Sequence, residues 1–128
     1  LVGKKKIAPS RLKNEPFILR EPGSGTRLTA EKFFASQGVT LKNRLEVGSN
    51  EAIKQTVAGG LGLAVLSATT VVSELALGEL VLLDVVGFPL IRQWHVVYPR
   101  GKRLSAAALA FKDWLFEHRP VGPAQPPA

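Results

Sequence analysis

The amino-acid sequence predicts an α/β fold with a mainly parallel sheet. Short apolar runs alternate with segments whose apolar residues recur at helical spacing, beginning with residues 17–19 and 26–37. Residues 63–66 form a continuous apolar run, which is typical of a strand buried on both faces. Strands that alternate with helices in this way pair in parallel, because each helix returns the chain to the same edge of the sheet.

The predicted elements follow in the order βαβαβα and then β, β and α. The first helix is expected to end at Gly38, in the position of a left-handed C-cap, and Gly59 and Gly60 end the second. Ser49 or Asn50 can begin that second helix, because both residue types cap helices well. The remaining elements are a helix at 70–77, strands at 45–47, 81–83 and 94–97, and a last helix at 105–119.

The net charge of +7 raises the question of nucleic-acid binding. Of the 17 basic residues, Lys4, Lys5, Lys6, Arg11 and Lys13 precede the first acidic residue, so 12 basic and 10 acidic residues remain in the rest of the chain. The body of the protein is therefore nearly balanced in charge. The early basic residues fit either a solvated surface segment or a groove-binding element, and the first interpretation is favoured.

Other features of the composition exclude several classes of protein. The absence of cysteine excludes disulfide bonds, thiolate metal sites and cysteine nucleophiles. No apolar run approaches the ~20 residues that a bilayer crossing needs. Charged residues and prolines occupy residues 1–20, where a signal peptide would place its apolar segment, so we expect a cytoplasmic protein.

The first predicted strand leads into its helix through a glycine-rich turn. Within this turn, Ser24, Gly25, Thr26 and Arg27 combine unobstructed backbone amides, two hydroxyls and a guanidinium at a helix N-terminus. These groups favour an anionic ligand. The alternative is a helix cap at Ser24 or Thr26 with the glycines serving a tight turn. The spacing is not that of a P-loop, so nucleotide hydrolysis has no support.

A second polar turn follows the second predicted strand. It contains Gly48, Ser49, Asn50 and Glu51, whose side chains either cap the helix or face a ligand. Two consecutive βα units place their turns at the carboxyl edge of the same sheet, which is where such sheets bind ligands. We therefore predict one shared site formed by both turns.

The sequence offers no catalytic centre. His95 and His118 lie outside both turns, and neither Glu21 nor Glu51 has a second carboxylate close in sequence for acid-base chemistry. We predict no catalytic residue, no metal site, no cofactor and no enzymatic activity. Aromatic residues at helix or strand periodicity are expected in the core, and not on a base-stacking surface: Phe33, Phe34, Trp94, Trp114 and Phe116.

Two long segments carry a resemblance to a known family. Residues 17–27, which read FILREPGSGTR, and 49–67, which read SNEAIKQTVAGGLGLAVLS, resemble the effector-binding domain of LysR-type transcriptional regulators. The similarity continues through residues 78–84, 87–97 and 102–105. These segments are most similar to the subgroup that controls carbon-dioxide-fixation (Calvin cycle) operons.

The resemblance implies a fold like that of type 2 periplasmic binding proteins, with helices on both faces of the sheet and an effector between two subdomains. By this resemblance, residues 17–78 form subdomain two, and residues 1–2 and 80–119 belong to subdomain one, of which this chain holds only the C-terminal part. Residues 120–128 are rich in proline and are expected to be a disordered tail. A winged helix-turn-helix would lie outside this chain.

The resemblance also implies a function for both turns. Ser24, Gly25, Thr26 and Arg27 would line one side of the cleft, beside Ser49, Asn50 and Glu51. The implied effector is a phosphorylated metabolite or a nicotinamide nucleotide, and the implied regulator is a dimer or tetramer that contacts promoter DNA through its helix-turn-helix. The alternatives are an enzyme or a solute-binding protein on the same fold, or a basic nucleic-acid-binding module.

Overall fold

A computed structural model describes residues 1–118, apart from the side chain of Asn43. The strands are β1 (Pro16–Leu19), β2 (Asn43–Glu46) and β3 (Leu63–Ala64). The α-helices are α1 (Gly25–Ser36), α2 (Asn50–Ala58), α3 (Val72–Ala76) and α4 (Ala106–Glu117), with 3-10 turns at Pro9–Leu12 and Ala68–Thr70. The α/β class and the order βαβαβα are confirmed.

The three strands form a parallel sheet in the order β2-β1-β3. Residues of β1 and β2 pair from Pro16 opposite Asn43 to Leu19 opposite Glu46. Because both strands run in the same direction, the turns that follow Leu19 and Glu46 leave the same edge of the sheet. The register therefore brings together the two segments that the sequence assigns to a ligand.

The helices α1 and α2 lie on opposite faces of this sheet. The chain moves from β1 to β2 in one direction and from β2 to β3 in the other, and right-handed crossovers then require opposite faces. Phe17 of β1 meets Phe34 of α1 edge to face, with ring centroids 5.4 Å apart. Ile18 points to the other face, where α2 packs against β1 and β3 and buries Ile53 completely.

Two glycines meet specific backbone requirements. Gly38 ends α1 with a φ of +66°, as the predicted left-handed C-cap requires. Gly62 precedes β3, and a Cβ added to it would lie 2.5 Å from the carbonyl oxygen of Pro16 and 2.8 Å from Cδ1 of Ile18. The close approach of β3 to β1 thus depends on the absence of a side chain at Gly62.

The sheet is smaller than the sequence predicts. Residues 81–83 and 94–97, which were expected to be strands, form none, because they have no pairing partner among the described residues. A single parallel bridge joins Ile7 to Val85 instead. The third strand is also shorter than residues 63–66, and its residues are half-buried, so the expectation of burial on both faces is wrong.

The prediction of an aromatic core is correct only in the first part of the chain. Phe34 is buried, and Phe33 packs against the same hydrophobic cluster. Trp94, Trp114 and Phe116 are 92%, 52% and 57% exposed, so the expectation that they belong to the core is wrong. Periodicity identifies an apolar face, but burial also requires a partner surface against it.

The chain divides into two compact units, one formed by Leu1–Leu90 and one that begins at Ile91. The first unit contains the sheet, and α4 lies in the second. The assignment of residues 17–78 and 80–119 to different subdomains stays a prediction. The tail predicted at residues 120–128 lies outside the described residues. No helix within residues 1–118 is long and apolar enough to cross a bilayer.

Candidate functional site

The first predicted turn leaves the leading amides of α1 available to a ligand. Ser24 precedes the helix, and its hydroxyl makes no capping hydrogen bond. Gly23 has a φ of +91°, which residues with a side chain rarely adopt. Within residues 1–118, the amides of Gly25 and Thr26 have no acceptor outside the helix, as geometry dictates for the first helical N–H groups. The turn therefore combines unpaired amides with two hydroxyls.

The second predicted turn is capped by its own serine. Ser49 precedes α2, and its Oγ accepts a hydrogen bond from the amide of Ala52 at 3.1 Å. Of the two roles that the sequence leaves open for Ser49, the structure contains the cap. Asn50 is the first residue of α2, and its Oδ1 accepts a hydrogen bond from Arg20, the residue that directly follows β1.

Arg20 connects the two turns. Its Nη1 donates to Oδ1 of Asn50 at 2.7 Å, across 30 positions of sequence. Its Nε and Nη2 donate to the two carboxylate oxygens of Glu21 at 2.7 and 2.8 Å. The contact with Asn50 establishes that the two turns are neighbours at one edge of the sheet. The adjacency that the sequence predicts is confirmed.

Sequence reasoning missed Arg20 because it is neither in a turn nor in the apolar run. Its position directly after β1, at the carboxyl edge of a parallel strand, is the signal that points to it. The two-pronged hydrogen bond to Glu21 raises the pKa of Arg20 and lowers the pKa of Glu21. Both groups are therefore charged at neutral pH.

Arg27 is occupied by carboxylates of the protein itself. Its Nε donates to Oε1 of Glu31 at 3.0 Å, and its Nη1 donates to Oε1 of Glu46 at 2.7 Å and to the carbonyl oxygen of Arg20 at 3.1 Å. Its side chain is only 14% exposed. The hydrogen bonds that Arg27 donates to Glu46, and then to Glu31, raise the pKa of Arg27. A ligand contact at Arg27 stays a prediction.

Glu51, the last predicted site residue, contacts a lysine of its own helix. Its carboxylate lies 2.8 Å from Nζ of Lys54, which also contacts Glu74 at 2.6 Å. Hydrogen bonds to Glu51 and then Glu74 raise the pKa of Lys54, and the contact lowers the pKa of Glu74. Because Glu74 belongs to α3, this cluster ties α2 to α3. The ligand role of Glu51 stays a prediction.

Two cavities flank α1. The smaller, of about 200 Å³, lies beside the first turn and is lined by Pro22, Gly23, Ser24, Arg27, Leu28 and Glu31. The larger, of about 520 Å³, reaches the other end of the helix, where Phe34, Gly38 and Leu41 line it. Its volume does not make it the predicted anion site, because the unpaired amides of α1 lie at the first turn and not at the C-terminal end of the helix.

Metal chemistry has no ligand set in the part of the chain that the structure describes. No group of three or more His, Asp or Glu side chains there has the arrangement to hold an ion. His118 lies at the end of α4, where its Nδ1 is 2.9 Å from the carbonyl oxygen of Trp114. The groups present at the turns are amides, hydroxyls and guanidinium groups, which supply hydrogen bonding and charge.

Comparison with known proteins gives relatives for almost the whole chain. A RuBisCO operon transcriptional regulator of Acidithiobacillus ferrooxidans is 64% identical over 116 residues, which cover 91% of this chain and 38% of that protein. The HTH-type transcriptional activator CmpR of Synechocystis sp. is 48% identical over 118 residues, covering 92% of this chain and 39% of that protein. The chain thus spans less than two fifths of the length of either relative.

A solved structure of a regulatory domain has the same fold as this chain. The regulatory domain of CcmR from Synechocystis PCC6803, in complex with 2-PG, superposes with a TM-score of 0.83 at 49% identity. The match covers 91% of this chain and 56% of that domain chain. The resemblance to regulators of carbon-dioxide fixation is confirmed. A family model, the LysR substrate binding domain, matches residues 1–120, and the chain belongs to that family.

Proposed function

We propose that this chain is the effector-sensing part of a LysR-type transcriptional regulator and that it binds a small phosphorylated metabolite. The observation that carries the proposal is the similarity to a regulatory domain of CcmR that holds 2-PG, at 49% identity over 91% of this chain. A phosphorylated carboxylate of that kind, such as 2-phosphoglycolate, is the effector class we propose.

The two neighbouring turns support an anionic ligand. Among residues 1–118, the amides of Gly25 and Thr26 have no acceptor outside α1, and the positive end of the helix dipole adds to their attraction for negative charge. Ser24 and Thr26 add hydroxyls at the same place. Asn50, which accepts a hydrogen bond from Arg20, brings a side-chain amide from the second turn. Together, these groups match the acceptor-rich surface of a phosphate or carboxylate.

The proposed mechanism is a population shift without catalysis. A ligand that binds one arrangement of the regulator more tightly than another increases the fraction of molecules in that arrangement. In the full protein, this shift would change how a homo-oligomer occupies promoter DNA. We assign the contact with DNA to a helix-turn-helix outside these 128 residues. We place the regulator in the cytoplasm. We assign no cofactor to the process.

The proposal is tested with the full-length protein and 2-phosphoglycolate. A ligand present at 100 times its dissociation constant stabilises the folded state by about 2.7 kcal/mol, which thermal unfolding detects readily. We expect 2-phosphoglycolate to raise the melting temperature and glycolate, which lacks the phosphate, to have little effect. If phosphorylated carboxylates, phosphosugars and nicotinamide nucleotides all leave the melting temperature unchanged, the proposal is wrong.

An enzyme on the same fold is the principal alternative. The relatives named above are transcriptional regulators, and this favours a sensor. Turnover of 2-phosphoglycolate by the purified protein would contradict the absence of catalysis. Sequence-independent DNA binding that required Lys4, Lys5 and Lys6, all of them exposed, would favour the nucleic-acid alternative instead.

A further inference from the structure

We propose that Arg20 is the guanidinium that holds the anionic group of the effector, and that Glu21 is a built-in competitor which the effector displaces. This inference rests on the proposed function and assigns the roles within that site. The juxtaposition that carries it is the contact of one guanidinium with a carboxylate of the first turn and with an amide of the second.

The geometry of Arg20 suits exchange of one anion for another. Nε and Nη2 present two parallel donors, and the Glu21 carboxylate accepts both at 2.7 and 2.8 Å. A ligand carboxylate or phosphate accepts the same pair of donors in the same plane. The remaining prong, Nη1, stays on Asn50 during such an exchange. Glu21 thus marks the place where an external anion fits.

Arg20 is fixed in position, whereas Glu21 is free to leave. The strand that ends at Leu19 is tied to β2, since the Leu19 carbonyl accepts from the Val47 amide at 2.9 Å. The carbonyl oxygen of Arg20 accepts a hydrogen bond from Nη1 of Arg27 at 3.1 Å. The side chain of Arg20 is 22% exposed. Glu21 is 44% exposed. Ion pairs with an exposed partner contribute little stability, so a tighter-binding anion can replace that partner.

Arg27 has a different role in this arrangement. Its carboxylate partners, Glu31 and Glu46, lie on α1 and β2, so its side chain joins the helix to the neighbouring strand. Its third contact is with the backbone of Arg20. Arg27 is therefore a positioning residue for Arg20, and the more exposed Arg20 is the residue that meets the ligand.

The contact with Asn50 gives the exchange a consequence beyond the first turn. Asn50 is the first residue of α2, and α2 is linked to α3 through Lys54 and Glu74. Because Nη1 keeps its contact with Asn50, a ligand that replaces Glu21 on Nε and Nη2 is linked through one guanidinium to the first residue of α2. Binding at the first turn is thereby coupled to α2 and α3.

The test measures the affinity of the full-length protein for 2-phosphoglycolate by calorimetry. Arg20→Gln is expected to weaken binding by about 10- to 100-fold, the usual effect of losing charge-assisted hydrogen bonds, with partial recovery in Arg20→Lys. Glu21→Gln is expected to strengthen binding by about 3- to 10-fold, since the competitor is removed. A purely structural role of the pair would not strengthen binding. Glu79→Gln, an exposed carboxylate outside both turns, is the control for net charge.

The double variant separates competition from general electrostatics. If Glu21 acts by occupying Arg20, the gain from Glu21→Gln disappears in the Arg20→Gln background. An equal gain in both backgrounds, or no gain in the wild type, overturns the inference while the sensor function stands. If the wild-type protein binds none of the phosphorylated probes, the proposed function fails and the inference fails with it. Should Arg20→Gln not fold, the outcome for Glu21→Gln alone decides.

Discussion

The guanidinium of Arg27 donates to the carboxylate of Glu46 at 2.7 Å, although the two residues are 19 positions apart in the sequence. This contact joins the N-terminal end of α1 to Glu46, the last residue of β2. Arg27 also contacts Glu31 on its own helix and the backbone of Arg20. One side chain therefore ties together the helix, the strand and the segment that leads into the first turn.

Replacement of Arg27 is expected to affect stability. Arg27→Gln leaves Glu46 without its partner and frees the Arg20 carbonyl, so the melting temperature should fall by roughly 5 °C. Arg44→Gln is the matched control, because Arg44 is 47% exposed and its ion pair with Glu31 is long, at 3.6 Å. We expect little change in that control. Equal effects of both substitutions in thermal unfolding would contradict the structural role of Arg27.

Ser24 and Ser49, which precede α1 and α2, should respond differently to alanine. Ser49→Ala removes the hydrogen bond from the Ala52 amide and should lower the free energy of unfolding by about 1 kcal/mol. Ser24→Ala removes a hydroxyl that makes no capping bond, so stability should change little while affinity for 2-phosphoglycolate falls. Denaturant unfolding and calorimetry measure the two effects. The reverse pattern would exchange the roles of the two residues.

The aromatic contact between sheet and helix should dominate the stability of the first unit. Phe34 is 1% exposed and packs edge to face on Phe17. Phe34→Ala is expected to lower the free energy of unfolding by about 3–5 kcal/mol, because the cavity is added to the lost burial. Phe111 is 62% exposed, so Phe111→Ala should have a much smaller effect in the same denaturant titration. Similar losses would mean that Phe111 is covered in solution.

The link between α2 and α3 should depend on pH. Lys54 lowers the pKa of Glu74 in the folded protein, so this pair contributes stability above the unfolded-state pKa and loses it as the pH falls through the lower folded-state value. The loss of this stability in acid should therefore begin below about pH 4. Lys54 has a raised pKa, so its contribution is complete below its unfolded-state pKa and disappears only in strong alkali.

Glu74→Gln provides the check on this assignment. The variant should be less stable than the wild type at pH 7, and the difference between the two should shrink as the pH is lowered. Melting temperatures measured from pH 7 to pH 3 give the comparison. A difference that stays constant over this range would show that Glu74 does not act through its charge.

Local pattern is enough to predict the first half of the fold. Apolar spacing and terminating glycines place α1 within one residue of its observed bounds, Gly25–Ser36, and Ser49 is one of the two residues that the sequence offers as a cap for α2. Pattern failed at residues 81–83 and 94–97, which have the composition of strands. A strand forms only where a second strand supplies hydrogen-bonding partners, and composition carries no information about that partner.

The sequence by itself determined the parallel βα units, the two polar turns and their common edge, because alternation, capping and connection length are local properties with few topological solutions. The tertiary structure alone decided which polar side chains meet. Arg20 pairs with Asn50 and Arg27 with Glu46 over separations of 30 and 19 residues, and only the register of β1 against β2 brings such groups within hydrogen-bonding distance.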